Sequence, residues 1–206
     1  MELGGLHHVT AVTGNAPGNL DFYTNTLGLR LVKKTVNQDD VSAYHLFYGD
    51  EAGSPGTEVT FFDWAGMGPN LPGTGSIVEI GLRVPDRDAL DWWARRFDER
   101  GLAHSGVTEI AGHPTLRFAD PEGQRLALVA GGNDVGFAPW RRSPVPVEHQ
   151  IRGLGHVTLA VDRFAPTARV LTDVLNFRQA GDYPAVDNPA LPVRALSAAR
   201  RYSSLT

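Results

Sequence analysis

The sequence predicts an α+β fold of repeated βαβββ modules forming curved mixed sheets, two modules complete and a third partial. Three observations predict it. Residues 6–30, LHHVTAVTGNAPGNLDFYTNTLGLR, align without a gap with residues 154–178, LGHVTLAVDRFAPTARVLTDVLNFR. The first copy opens a run of one strand, one helix and three strands. Residues 76–129 repeat that order with weaker similarity. A repeat of this length constrains the architecture before any single element is assigned.

The first module takes residues 1–68. Residues 6–12 alternate apolar and polar, as a half-buried strand does. Gly14, Pro17 and Gly18 break it. Leu20, Tyr23, Thr24 and Leu27 are spaced for one face of a helix, and Gly28 is placed to cap its C-terminus. Residues 30–36, 44–48 and 58–62 are the next three strands, with the turn Gly53-Ser54-Pro55-Gly56 between the last two.

The second module takes residues 74–131. Residues 77–84 are strand-like, and Pro85-Asp86 opens a helix whose apolar face is Leu90, Trp93, Phe97 and Trp92. Gly101 ends that helix. Strands follow around 107–110, at 115–118 and at 125–129, with Asp120-Pro121-Glu122-Gly123 as the last turn. The two modules are expected to cover each other's edges and make a cup. Residues 132–150, with Pro139, Pro144 and Pro146, are expected to form an irregular or extended linker. Residues 151–206 are expected to be an incomplete third module. It has a strand, a helix and the start of a second strand near Arg178, then an irregular, loosely docked tail after Asp182.

Composition narrows the function classes. The 206 residues are 42% hydrophobic and 20% charged, with a formal net charge of −4, so nothing points to a nucleic-acid or anionic-membrane partner. There is no cysteine, which excludes disulfides, zinc–thiolate sites and a thiol nucleophile. No apolar run approaches the roughly 20 residues of a membrane helix, and residues 1–10 lack the basic and apolar regions of a signal peptide. A cytoplasmic location is the expectation.

The segments LHHVTAVTGN, FYTNTLGLRLVKKTVN, YHLFYGDEAGSPGTEVTFFDW and IVEIGLRVPDRDALDWW resemble the vicinal-oxygen-chelate (glyoxalase/bleomycin-resistance/dioxygenase) superfamily. Within it, they resemble the branch of ring-cleaving dioxygenases acting on hydroquinones. The resemblance runs from Leu6 to Tyr183. It implies a longer chain of four modules and Fe(II), or Mn(II) in some members, held by two histidines and one glutamate. It places one of those ligands at His8, with the other two in a fourth module outside this sequence. It places His7 and Thr10 beside the metal as catalytic candidates that position substrate or oxygen. A two-histidine, one-carboxylate set leaves three metal positions open, which suits an iron that must hold both an aromatic diolate and O2.

The residues also carry plainer readings. In a regular strand His8 and Thr10 share a face and His7 points to the other, which separates His7 from a metal on His8. His156 holds the His8 position in the third module and Glu79 holds it in the second. The last-strand position that often carries a glutamate in the superfamily holds Thr60 and Ala127. His104, His113 and His149 fall near turns and are expected to be exposed, and His45 could face either side of its sheet. Trp92 and Trp93 read as packing residues.

Three functions follow. The first is a ring-cleaving, extradiol-type Fe(II) dioxygenase, or a fragment of one, whose partners are a small aromatic diol and O2. The second is a metal-free protein that binds small aromatics, as resistance proteins of the superfamily do. The third is a glyoxalase-like isomerase or lyase using His8 and Glu79. A homo-oligomer is compatible with any of them.

Overall fold

The computed structural model describes residues 3, 5–38, 40–131, 136–188 and 190–197. Strand β1 (His8–Thr13) turns Val9 and Ala11 to the core and His8, Thr10 and Val12 away from it. Helix α1 (Ala16–Asp21) starts at Asn15, whose Oδ1 accepts from Gly18 N at 3.2 Å. It runs into one π-helical turn, Phe22–Thr26, closed by Leu27 N donating to Phe22 O at 3.0 Å. That turn corrects the expected helix face. Tyr23 and Leu27 are buried together with Asn19, Phe22 and Thr26, whereas Leu20 is exposed. A π turn adds a residue to the hydrogen-bonded loop and rotates the buried stripe. Gly28 then takes the left-handed conformation, φ 71°.

Strands β2 (Arg30–Val36), β3 (Tyr44–Gly49) and β4 (Glu58–Asp63) complete a four-stranded sheet in the order β1-β4-β3-β2. β1 runs parallel to β4, with Thr10 opposite Thr60, and the other two pairs are antiparallel. The second sheet has the same plan. Its elements are β5 (Ser76–Val84), α2 (Arg87–Glu99), β6 (His104–Ile110), β7 (His113–Ala119) and β8 (Arg125–Ala130). Asp86 caps α2 by accepting from Ala89 N at 2.9 Å, and Ala89, Leu90, Trp93 and Phe97 form its buried face.

The third run contains β9 (Gly153–Ala160), α3 (Phe164–Arg169), a π turn at Val170–Val174, β10 (Arg178–Pro184) and β11 (Pro192–Ser197). The repeat seen in the sequence is therefore structural: the π turn recurs at the matching place. Asn176, φ 60°, takes the left-handed position that Gly28 takes in the first copy.

Two expectations are corrected. The sheet order β6-β7-β8-β5-β9 pairs the second module's free edge with the third module, not with the first. Among the described residues β1 pairs with β4 alone. Strand alternation specifies which face is buried and carries no information about which edge is paired. Second, residues after Asp182 are not irregular throughout, because β10 and β11 form an antiparallel hairpin. Residues 198–206 of the expected tail lie outside the described residues, as do 132–135 of the linker. The described part of the 132–150 segment holds one 3₁₀ turn, Val147–His149, and is tied to both modules. Ala138 N donates to Asp50 Oδ2 at 2.8 Å, Ser143 Oγ to Gly28 O at 2.8 Å, and Trp93 Nε1 to His149 O at 2.8 Å. Val145 is buried among core residues of both modules.

Direct contacts also bolt the first two modules together. Tyr23 Oη donates to Asp120 Oδ2 at 3.1 Å, and Arg96 of α2 donates to the carbonyls of Thr26 and Asn25 at 3.1 and 2.9 Å. One continuous core results, with Tyr23, Tyr48, Phe61, Trp93, Phe97 and Leu128 fully buried within it. Each such side chain contributes about 1.5–3 kcal/mol. Among the described residues no helix is long and apolar enough to cross a membrane.

Candidate functional site

In the first sheet, Val9, Leu46, Tyr48, Val59 and Phe61 face the core. Alternation then turns His8, Thr10, His45, Phe47, Thr60 and Phe62 to the opposite, open face. Leu46 and Tyr48, buried on either side of Phe47, settle the orientation of His45, which sequence alternation left undecided.

His8 and Thr10 lie side by side on β1, both exposed. His7 precedes the strand, so the alternation expected to separate it from His8 does not apply: the two Nδ1 atoms are 3.0 Å apart. One of these nitrogens donates and the other accepts. Thr60 on β4 is wholly buried, and its hydroxyl is hydrogen-bonded to that of Thr10 at 2.9 Å. His45 Nε2 lies 2.9 Å from the same Thr60 oxygen. The His45 ring is sandwiched between Phe47 and Phe62, with centroids 4.0 and 4.3 Å away. Burial pushes the His45 imidazole below its ordinary pKa, and the neighbouring charges of His8 and Lys33 push it further. A pocket of about 300 Å³ opens on this face, lined by Lys33, Thr35, His45, Phe47 and Phe62 among others. Its lining joins the rings of His45, Phe47 and Phe62 to the polar side chains of Lys33, Thr35, Asn37 and Gln38, which suits a small ring bearing oxygens.

The matching face of the second sheet is filled by charge. Arg117 Nε is 2.6 Å from Glu79 Oε2, and His156 Nε2 is 3.6 Å from Glu79 Oε1. Arg117 and Arg125 both reach Asp187, at 2.8 Å each, in the loop between β10 and β11. Glu79 is therefore engaged by a guanidinium, and it stands in a different sheet from His8. That arrangement removes the pairing of His8 with Glu79 that a glyoxalase-like reading requires.

The remaining histidines hold structural places. His104 is half-buried against Asp98 at 3.1 Å, and His149 stacks on Trp92 at 4.8 Å, so neither has the exposure expected of it. His113 is exposed. Among the described residues no group of three His, Cys, Asp or Glu side chains could hold a metal ion. His8 offers one imidazole with no carboxylate from Thr60 or Ala127 beside it, so the described residues do not by themselves fit Fe(II). The sequence reasoning missed the His45–Thr60 contact, although β3 and β4 as adjacent strands with alternating faces carried the signal.

Comparison with known proteins agrees with this architecture. The family model of the Glyoxalase/Bleomycin resistance protein/Dioxygenase superfamily matches residues 5–128. A Bacillus subtilis protein that carries the name ring-cleaving dioxygenase MhqA is 49% identical over 89% of this chain. The chlorohydroquinone/hydroquinone 1,2-dioxygenase of Sphingobium indicum is 34% identical over 86% of it. The chain spans 58% and 56% of the lengths of these two relatives. A crystal structure described as a dioxygenase from Bacillus subtilis superposes with a TM-score of 0.77 at 32% identity, over 92% of this chain and 62% of that one. A glyoxylase/bleomycin resistance protein/dioxygenase domain from Frankia superposes with a TM-score of 0.53 at 18% identity and shares the fold. The module order, the sheet plan and the family match together place this chain in the Glyoxalase/Bleomycin resistance protein/Dioxygenase superfamily.

Proposed function

We propose that the chain belongs to a ring-cleaving dioxygenase acting on a hydroquinone-type ring, with Fe(II) as its metal and His8 as one ligand. The observation that carries this reading is that His8 and Thr10 stand on the same open face of the first sheet as the pocket lined by His45, Phe47 and Phe62. The names borne by the relatives support the reaction class. When bound, the metal would pass electron density from the ring to O2. The chain's own residues do the rest on this face. Phe47, Phe62 and His45 present ring surfaces for the substrate, Thr10 places a hydroxyl against a ring oxygen, and Lys33 favours an anionic form of the ring. His7, 3.0 Å from His8 through its Nδ1, orients the His8 ring.

A second reading, capture of a small aromatic without metal, is favoured by the absence of a carboxylate at Thr60 and Ala127 and by a pocket formed without any metal ligand. One experiment separates the two. The chain is loaded anaerobically with Fe(II), hydroquinone is added, and oxygen uptake and hydroquinone affinity are followed together. The dioxygenase reading expects no uptake by these 206 residues, whose described side chains supply one ligand, and Fe(II)-dependent uptake by a full-length relative that is lost when its residue at the His8 position is changed to Ala. Uptake by the relative that survives that change would overturn the ligand assignment, and hydroquinone binding by the 206 residues without Fe(II), with no uptake by the relative, would support the metal-free reading.

A further inference from the structure

We propose that His45 and Thr60 form a directed hydrogen-bond chain that turns the Thr10 hydroxyl into a proton donor, so that the first sheet's open face selects the phenolate form of its aromatic ligand. The proposal rests on the reading of this face as an aromatic site and adds the ionisation state it takes.

Counting protons leaves two directions, and the proposed one has Thr60 as the donor to Thr10. A threonine hydroxyl has one proton and two lone pairs. Thr60 Oγ1 spends its proton on Thr10 Oγ1 at 2.9 Å. Its remaining neighbour, His45 Nε2 at 2.9 Å, must then be the donor, which makes His45 the Nε2–H tautomer. Thr10 already accepts from Thr60, and its own proton is free to point into the open face, where Thr10 is exposed and His8 is two residues away on the same side. The reverse order, Thr10 to Thr60 to His45, would leave Thr10 showing only lone pairs to a ligand. One histidine tautomer therefore decides whether Thr10 offers this face a proton at all.

Three observations support a fixed chain on this face. Thr60 is wholly buried, so no water competes for its proton. Packing between Phe47 and Phe62 holds the His45 ring with Nε2 aimed at Thr60. The charged or titratable groups acting on His45 are His8 from β1 and Lys33 from β2, both of which favour a neutral imidazole and an anionic ligand. The second sheet gives an internal control. Its β5–β8 register sets Gly81 opposite Ala127 where the first sheet sets Thr10 opposite Thr60, and neither can relay a proton. The hydroxyl chain belongs to the face with the pocket and is lacking on the face filled by ion pairs.

Two measurements test this on the 206-residue chain. Long-range proton–nitrogen correlation of the His45 ring is expected to show the Nε2–H tautomer, and the Nδ1–H tautomer would overturn the proposal. The second uses 4-nitrophenol, whose absorbance reports its own ionisation. Bound to the wild-type chain it is expected to appear as phenolate at a pH where the free probe is half protonated. Thr60→Val and His45→Phe should remove that bias and weaken phenolate binding about tenfold, as losing a hydrogen bond to a charged group does. His45→Gln, whose amide can donate in place of Nε2–H, should restore part of both. Phenolate bias unchanged in Thr60→Val would overturn the proposal even with the expected tautomer. Failure of the probe to bind, with His45 in the Nε2–H form, would count against the aromatic site and leave the directed chain standing.

Discussion

Arg117 Nε sits 2.6 Å from Glu79 Oε2, on the face of the second sheet that corresponds to the His8 face of the first. The two side chains are only 19% and 13% exposed, so neither can fall back on bulk water if its partner is lost. Arg117→Leu should therefore destabilise the chain by about 3 kcal/mol, since it leaves the largely buried Glu79 with only His156, at 3.6 Å, as a charge partner. Urea unfolding measures it. Adding Glu79→Gln should recover part of the loss, because the stranded charge is then gone. Equal stability of the two variants would show that the ion pair, and not the orphaned carboxylate, carries the effect.

The same network sets a pH dependence. Burial alone would raise the Glu79 carboxyl, but the hydrogen bonds and charges of His156 and Arg117 outweigh it and bring Glu79 below its ordinary value. The Arg117 hydrogen bond holds Asp187 low in the same way. In mildly acid solution such carboxylates bind fewer protons folded than unfolded, so stability rises with pH there. Their contribution is present above the ordinary carboxylate value near about 4 and fades as pH falls through the lowered ones. Asp187 is half exposed, so its share is small and salt-screened. Hydrogen exchange should show the β10–β11 amides losing protection below about pH 4 before those of β7 and β8 do.

Tyr23 and Tyr48 stack 5.2 Å apart in the core and differ in what their hydroxyls meet. Tyr23 Oη donates to Asp120, which also accepts from the Glu122 and Gln124 amides at the turn. Burial raises the pKa of both Tyr23 and Asp120. Tyr48 Oη is buried with no hydrogen-bond partner among the described residues. Tyr23→Phe should cost about 1–2 kcal/mol, since it leaves a buried acceptor short of its donor. Tyr48→Phe should be neutral or stabilising. Thermal unfolding of the two variants compares them directly.

Much of this fold was legible in the sequence because a long repeat fixes several elements at once. Matching 6–30 with 154–178 located β1, α1 and β2 and their counterparts β9, α3 and β10. The partner of each sheet edge was not legible, since a two-residue period describes faces only. Nor was the β10–β11 hairpin. Its strands are largely exposed and are tied by polar contacts such as Arg194 Nε to Asp182 Oδ1 at 2.8 Å, which leave no apolar alternation to read. At the site, His8, Thr10 and His7 stood out through the resemblance. His45 did not, because its role depends on Thr60 lying across the strand pair, a relation between two segments and not a property of either.

The two left-handed positions of the repeat separate backbone cost from packing cost. Gly28 has φ 71° and Asn176 has φ 60°, so the fold accepts asparagine at this cap. The surroundings differ. A Cβ on Gly28 would lie 2.5 Å from Val145 Cγ2 and 2.6 Å from Ser143 Oγ of the connecting segment, whose Ser143 hydroxyl already donates to Gly28 O. Gly28→Asn should therefore cost about 1–3 kcal/mol through overpacking alone, while Asn176→Gly should change stability by only about 1 kcal/mol or less through the freer unfolded chain. Combining Gly28→Asn with Val145→Ala separates the terms. If the segment is what forbids a side chain at 28, the double variant is less destabilised than the sum of the two single ones, by the repulsion that Val145 no longer supplies. Strict additivity would place the cost in the backbone instead, against what Asn176 shows.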